Sequence, residues 1–215
     1  MMNPGAASSG TGTGAPPDPE VEMEADFSES PLSTEQKTLF RSELSRFWDM
    51  FVESSKKPER MDLLKFLVDT GDSPPMKQKP YRVSYAEGEI MEAEIQQYLE
   101  LGYVLESNSP WASPVLMIRK PDGGIRFCID SRKMNAVTVK DCYPMPLIDD
   151  ILDVLSGSKL FSTMDNSSGY CNVLMHEDSI AKTAFTCKYG LFKWLVIPFG
   201  LCNAVAAFER PFWLT

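Results

Sequence analysis

The pattern of apolar and polar positions divides the chain into an unpatterned start and a patterned remainder. Up to Leu32 the residues are mostly Gly, Ser, Thr, Pro and acid. Such a stretch buries too little surface to offset the entropy of ordering, so residues 1–32 are expected to be a disordered acidic tail. Ser33-Thr34-Glu35-Gln36 then fits a capping box. Phe40, Leu44, Phe47, Trp48 and Phe51 follow at helical spacing, predicting a helix to about Ser54. Residues 61–68 (MDLLKFLV) are a short apolar run that fits helix or strand, and 69–75 (DTGDSPP) are a loop.

A second capping box, Ser84 to Glu87, opens a helix whose apolar stripe is Ile90, Met91, Ile95, Tyr98 and Leu99, with Gly102 suited to its C′ position. VLMIRK, PDGG and IRFCID read as strand, tight turn, strand. Alternation then puts Arg126, Cys128 and Asp130 on one face and Ile125, Phe127 and Ile129 on the other. Leu147, Ile148, Ile151, Leu152 and Leu155 predict a short helix closed by Gly157, and KLFSTMD (159–165) predicts a strand ending in a carboxylate. A hairpin follows around Lys188-Tyr189-Gly190. Pro198-Phe199-Gly200 forms a turn, and Asn203 is placed to cap a last helix that ends at Pro211.

Composition narrows the class. With 43% hydrophobic and 24% charged residues, the 215-residue chain is neither fibrous nor wholly disordered. It has no apolar run long enough for a membrane span and no signal-peptide pattern at its start, so an intracellular, cytoplasmic or nuclear protein is expected. Five cysteines without a C-x-x-C pair read as reduced, mostly buried thiols, and a sole histidine, His176, argues against zinc. The net charge of −9 looks wrong for a nucleic-acid binder, but its distribution is uneven. Residues 1–35 hold seven acids and no base, whereas 115–140 hold six bases against two acids, a local net of +4.

Asp165 is the candidate for chemistry. A carboxylate at a strand end suits a Mg²⁺ ligand, and the small residues after it would admit a triphosphate. An ordinary turn with an Asx cap is the competing structural explanation.

At this point the residues carry a resemblance. From about 69 to 210 the chain resembles the first half of a reverse transcriptase of a gypsy-type long-terminal-repeat retrotransposon. The matching blocks, in the family's order, include KPYRVS (79–84), SNSPWASPVLMIRKPDGGIRFCID (107–130), RKMNAV (132–137), YPMPLIDDIL (143–152), KLFSTMD (159–165) and KTAFTCKYGLFKWLVIPFGLCNA (182–204). The resemblance implies an α+β right-hand fold: fingers and an incomplete palm over 73–215, a helical N-terminal extension over 33–72, and the tail over 1–32. It implies RNA-directed DNA polymerisation, with RNA/DNA template-primer and deoxynucleoside triphosphate as partners and Mg²⁺ as cofactor. Lys120 and Arg126 would reach the triphosphate. Asp165 would be the first catalytic, metal-binding carboxylate. Tyr170 would lie beneath the sugar, Phe199 and Gly200 would line the nucleotide pocket, and Arg132 and Asn135 would brace the fingers and template side. From the residues alone, Tyr170 and Phe199 fit core packing as well.

The sequence departs from the family's pattern at Ser131, Asn166, Cys171, Val205 and Pro211-Phe212-Trp213. The family's other two aspartates belong to a later Y-x-D-D hairpin, which these residues do not contain; Asp149-Asp150 lies in a helix-like segment upstream. Two-metal phosphoryl transfer needs carboxylates from neighbouring strands, so the 215 residues are expected to be inactive by themselves. The alternative is a remnant that binds nucleic acid or a protein partner across the open palm edge without chemistry. Deleting residues 1–35 removes seven negative charges that compete with the basic segment. Titrations with and without the tail should show tighter nucleic-acid binding by the truncated chain, most clearly at low salt where the Debye length approaches ~30 Å. Equal binding at low ionic strength would refute the electrostatic role of the tail.

Overall fold

The computed structural model describes residues 26–47, 61–121, 123–166 and 168–210. The chain divides into two compact units, 1–54 and 55–215. In the first, helix α1 (Thr34–Ser45) starts at the predicted box: Ser33 Oγ accepts from Gln36 N and the Gln36 side chain accepts from Ser33 N. It ends at Ser45, short of the expected Ser54, and Trp48 and Phe51 lie outside the described residues. The expected disordered tail, 1–32, also falls outside them up to residue 25. From there, the Phe27 ring meets Phe40 edge-on, with the Arg41 guanidinium over its face.

The second unit is built on a five-stranded sheet of order β2-β7-β6-β3-β4. Its strands are β2 (Val104–Glu106), β3 (Ser113–Arg119), β4 (Ile125–Ile129), β6 (Phe185–Cys187) and β7 (Gly190–Trp194). All neighbours are antiparallel except β3 and β6. Both predicted hairpins are present. The ambiguous run at 61 is a strand, β1 (Met61–Phe66), parallel to β5 (Val173–Met175). It resolves as a strand because long-range partners take its backbone: His176 N donates to Phe66 O and the Ser179 hydroxyl accepts from Val68 N. The interval 33–72 therefore holds a helix and a strand.

Helix α2 (Tyr85–Glu100) carries the second capping box and stops where Gly102 turns the chain at φ +66°. Its Met91 and Ile95 pack on the sheet around Val115, Phe185, Phe192 and Trp194. Phe185 is the centre of this core, touching the rings of Phe127, Phe192 and Trp194. A second core joins β1 and β5 to α3 (Arg132–Val137) and α6 (Ala204–Glu209) through Phe66, Met134, Val173, Ile197 and Ala207. Helix α4 (Ile148–Leu155) and the four-residue α5 (Glu177–Ile180) complete the elements. No described helix is long and apolar enough to cross a membrane.

Two local expectations are corrected. Asn203 stands at the start of α6, but its side chain does not cap it. Its amide donates to Val139 O and accepts from Asp141 N, tying the loop after α3 to α6. Cysteines are less buried than expected: Cys187 is buried, Cys128 and Cys171 are half-buried, and Cys142 and Cys202 are exposed, all as free thiols. Burial pushes the Cys171 thiol up to about 11.

Phe185 has no exposed surface. Phe185→Ala removes its three ring contacts and leaves a cavity, and urea denaturation should register a loss of about 3–5 kcal/mol.

Candidate functional site

The β3–β4 hairpin sets the first group of residues. Its register pairs Ile118 with Arg126 and Leu116 with Cys128, as the alternation predicts. The tip closes through Lys120 N to Gly124 O at 2.7 Å and Gly123 N to Lys120 O at 3.0 Å. Gly123 has φ +85°, a conformation that favours glycine. Ile118, Arg119, Lys120, Pro121, Arg126 and Cys128 line an open groove of about 420 Å³. Lys120 and Arg126 form no ion pair with a described residue, so the groove presents cationic groups to solvent.

At the other end of β4 the chain turns on Asp130. This carboxylate is 4% exposed. It accepts from Arg132 Nε and Nη2 at 2.8 Å each, and from the Tyr81 hydroxyl at 2.8 Å. The paired guanidinium holds the Asp130 carboxyl well below the usual carboxylate range. The same partnership raises the Tyr81 hydroxyl and the Arg132 guanidinium above theirs. Residue-level reasoning placed Asp130 on a strand face but missed Tyr81, which reaches it from 49 residues away; the Asp-x-Arg spacing was the only local signal.

The turn leads into α3, and α3 positions Asn135. Asn135 Nδ2 donates to Gly200 O at 2.7 Å, and Asn135 Oδ1 accepts from Cys202 N at 2.9 Å. This amide clamps the 198–202 turn. Gly200 takes φ +102°, and a Cβ there would lie 3.4 Å from Ser131 Oγ. Phe199, 65% exposed, meets the Tyr170 ring edge-on at 5.3 Å. Tyr170 also meets Phe208 at 5.3 Å. A Cβ on Gly169 would sit 2.9 Å from the Phe208 ring, so the glycine permits that approach. Tyr170 is thus half-buried against the second core, while Phe199 is not core packing.

The structure brings Asn135, Tyr170, Phe199 and Gly200 together and seats Arg132 at the turn that leads to them. It does not bring Asp165 into contact with these residues. The predicted strand 159–165 is an exposed, irregular segment, with Leu160, Phe161 and Met164 at 54%, 64% and 71% exposure. A strand requires a ladder partner, and this segment finds none among the described residues. Asp165 itself is exposed. Among the described residues no group of three or more His, Cys, Asp or Glu side chains is placed to hold a metal ion. A lone carboxylate does not fit a two-metal Mg²⁺ centre.

The sheet, hairpin and flanking helices define a right-hand polymerase fold, in part. Prototype foamy virus protease–reverse transcriptase (a selenomethionine-labelled mutant) superposes with a TM-score of 0.76 at 24% identity, over 86% of this chain and 25% of that one. The foamy viral enzyme in complex with RNA/DNA hybrid gives 0.71 at 21% identity, over 85% and 25%. Residues 118–212 match the family described as reverse transcriptase (RNA-dependent DNA polymerase). The retrovirus-related Pol polyprotein from transposon 297 of Drosophila melanogaster is 34% identical over 193 residues, covering 86% of this chain and 18% of that protein. The enzymatic polyprotein of cauliflower mosaic virus (strain Strasbourg) is 35% identical over 139 residues, covering 63% and 20%. Over these residues the chain is similar in sequence to the reverse transcriptase domain, and it resembles retrotransposon and retrovirus-related Pol polyproteins. It spans about a fifth of the length of these curated relatives.

Because the folded Asp130 carboxyl is held down, its stabilisation is complete above the ordinary carboxylate value near ~4 and is lost as pH falls below it. Asp130→Ala leaves Tyr81 and Arg132 unpaired and should cost about 1–3 kcal/mol at pH 7. The difference between wild type and variant should shrink in thermal melts carried out at progressively lower pH. A pH-independent difference would rule out the ion pair as its source.

Proposed function

We propose that this chain is the fingers and first part of the palm of a gypsy-type long-terminal-repeat retrotransposon reverse transcriptase, acting in the cytoplasm or nucleus. In this proposal residues 73–215 form the polymerase segment, with 33–72 as its extension and 1–32 as its acidic tail. The transposon 297 relative supports the lineage. The observation that carries the functional reading is the clamp at Gly200: Asn135 holds its carbonyl while Phe199 turns onto Tyr170.

The geometry supports the following roles. Lys120 supplies a point charge and Arg126 a planar fork to the phosphates of an incoming deoxynucleoside triphosphate. The Tyr170 ring forms the floor beneath the sugar and rejects a 2′-hydroxyl by bulk. Phe199 and Gly200 form the wall, glycine allowing close approach of the base. Arg132 and Asn135 act as positioning residues, the first through Asp130 and the second through the 198–202 turn. Bound Mg²⁺ would supply charge neutralisation at the phosphates. Asp165 is the one carboxylate assigned to it, and the donor set described here does not complete that centre. The 215 residues therefore bind template-primer and nucleotide without extending the primer. The solved foamy viral complex with RNA/DNA hybrid supports the nucleic-acid partner.

Primer extension on an RNA template with Mg²⁺ or Mn²⁺ should give no product, and Asp165-dependent incorporation would refute this. Nucleotide binding separates the site assignment from the activity claim. Lys120→Ala and Arg126→Ala should each weaken triphosphate affinity by about tenfold to a hundredfold, the worth of a charge-assisted hydrogen bond. Unchanged affinity in both would overturn the groove as the phosphate site.

A further inference from the structure

Between Asp72 and Glu87 the chain holds Lys77, Lys79 and Arg82 and no acid. This basic stretch is separate from the one at 115–140. Its two ends are anchored in different cores: Met76 packs on the core around Met134, and Val83 on the core around Phe185. Between them the chain is drawn out along the start of β3. Gln78 N donates to Ala112 O and Ala112 N donates to Met76 O, each at 2.9 Å. Pro80 keeps Lys79 extended as well. In an extended chain alternate side chains share a face and stand ~7 Å apart. Met76 and Gln78 are half-buried; Lys77, Lys79 and Tyr81 are exposed, with Arg82 exposed beside them. Lys77, Lys79 and Arg82 form no ion pair with a described carboxylate.

Tyr81 ends this row at the buried Asp130, which accepts from its hydroxyl. The ring is therefore the part of Tyr81, 42% exposed, that is left for a ligand. Asp130 also holds the Arg132 guanidinium through two bonds, yet 80% of the Arg132 side chain is exposed. One carboxylate thus fixes an aromatic ring and a guanidinium plane at the end of a row of cations. Cations alone would suit any anion. The two planes decide between anions, because a nucleobase stacks on both, and a carboxylate-rich peptide or a lipid headgroup has no use for either. In a duplex the bases are stacked on one another and closed to the ring, so the strand that fits is unpaired.

We propose that segment 77–82, with Arg132, is a binding track for an unpaired nucleic-acid strand. Lys77, Lys79 and Arg82 take its phosphates, and Tyr81 and Arg132 take a base. The track rests on the nucleic-acid reading above and adds Lys77, Lys79, Tyr81 and Arg82, which lie outside the nucleotide site.

The test uses the full chain with a labelled oligodeoxythymidylate and a labelled blunt-ended duplex, followed by fluorescence anisotropy over a range of salt. The combined Lys77→Ala, Lys79→Ala, Arg82→Ala variant should bind the single strand at least about tenfold more weakly at low salt. Its plot of log affinity against log salt should be shallower by about 2, from three phosphates at ~0.7 each. Tyr81→Leu should weaken single-strand binding about tenfold with the salt slope unchanged, and should leave duplex binding as in wild type. Tyr81→Phe, which keeps the ring, should stay close to wild type with both probes. Equal loss of both probes in Tyr81→Leu makes Tyr81 merely structural and overturns the track. Single-strand affinity unchanged in the triple variant also overturns it, and leaves the nucleic-acid reading standing where wild type still binds the duplex. Wild type that binds neither probe overturns both. Polyglutamate or phosphatidylserine vesicles that bind wild type as tightly as the single strand, and lose affinity in the triple variant, overturn the track in favour of an acidic protein or a membrane.

Discussion

The buried carboxylate of Asp130 is the constraint on which the candidate site depends. A charge at that depth persists only when paired and fully hydrogen-bonded, and Arg132 and Tyr81 supply both conditions. The bond to Arg132 folds the end of β4 back into the first turn of α3. That places Ser131 beneath Gly200 and Asn135 against the 198–202 turn. The clamped turn then presents Phe199 to Tyr170. Residues far apart in sequence thus reach one surface through hydrogen bonds at Asp130 and Asn135 and a ring contact between Phe199 and Tyr170.

The second unit has two regimes of packing. Around Phe185 and around Met134 the side chains interlock, and the strands bear hydrogen bonds from both local and distant partners. From Leu147 to Asn166 the chain is exposed throughout, although nine of these twenty residues are large and apolar. Helix α4 satisfies its backbone without a partner, because helical hydrogen bonds are internal to the segment. The apolar residues of 159–165 do not make it a strand, because strand hydrogen bonds must be made to something else.

The same contrast separates the two halves of the candidate site. Lys120 and Arg126 sit where a hairpin of tight turn and alternating faces puts them, and both features are local. Tyr170, Phe199, Gly200 and Asn135 meet through contacts spanning tens of residues. Asp165, the carboxylate singled out from the sequence, is the residue the described structure leaves without a site around it. Asn203 shows the reverse case. Its residue type and position predicted a helix cap, and a stronger long-range demand, the backbone of Val139 and Asp141, took its side chain instead.

What the sequence by itself determined is whatever rests on neighbours within a turn or a pleat. Two capping boxes, the face alternation of β4, both hairpins and the glycine stops at 102 and 157 follow from such local rules, and the ordered motif blocks carried the fold class. Tertiary structure alone decided the rest. It made 61–66 a strand through pairing with β5, turned the Asn203 side chain to Val139 and Asp141, and recruited Tyr81 to Asp130. The physical reason is common to all three. Their stabilising partners lie outside the segment concerned, so no pattern within the segment records them.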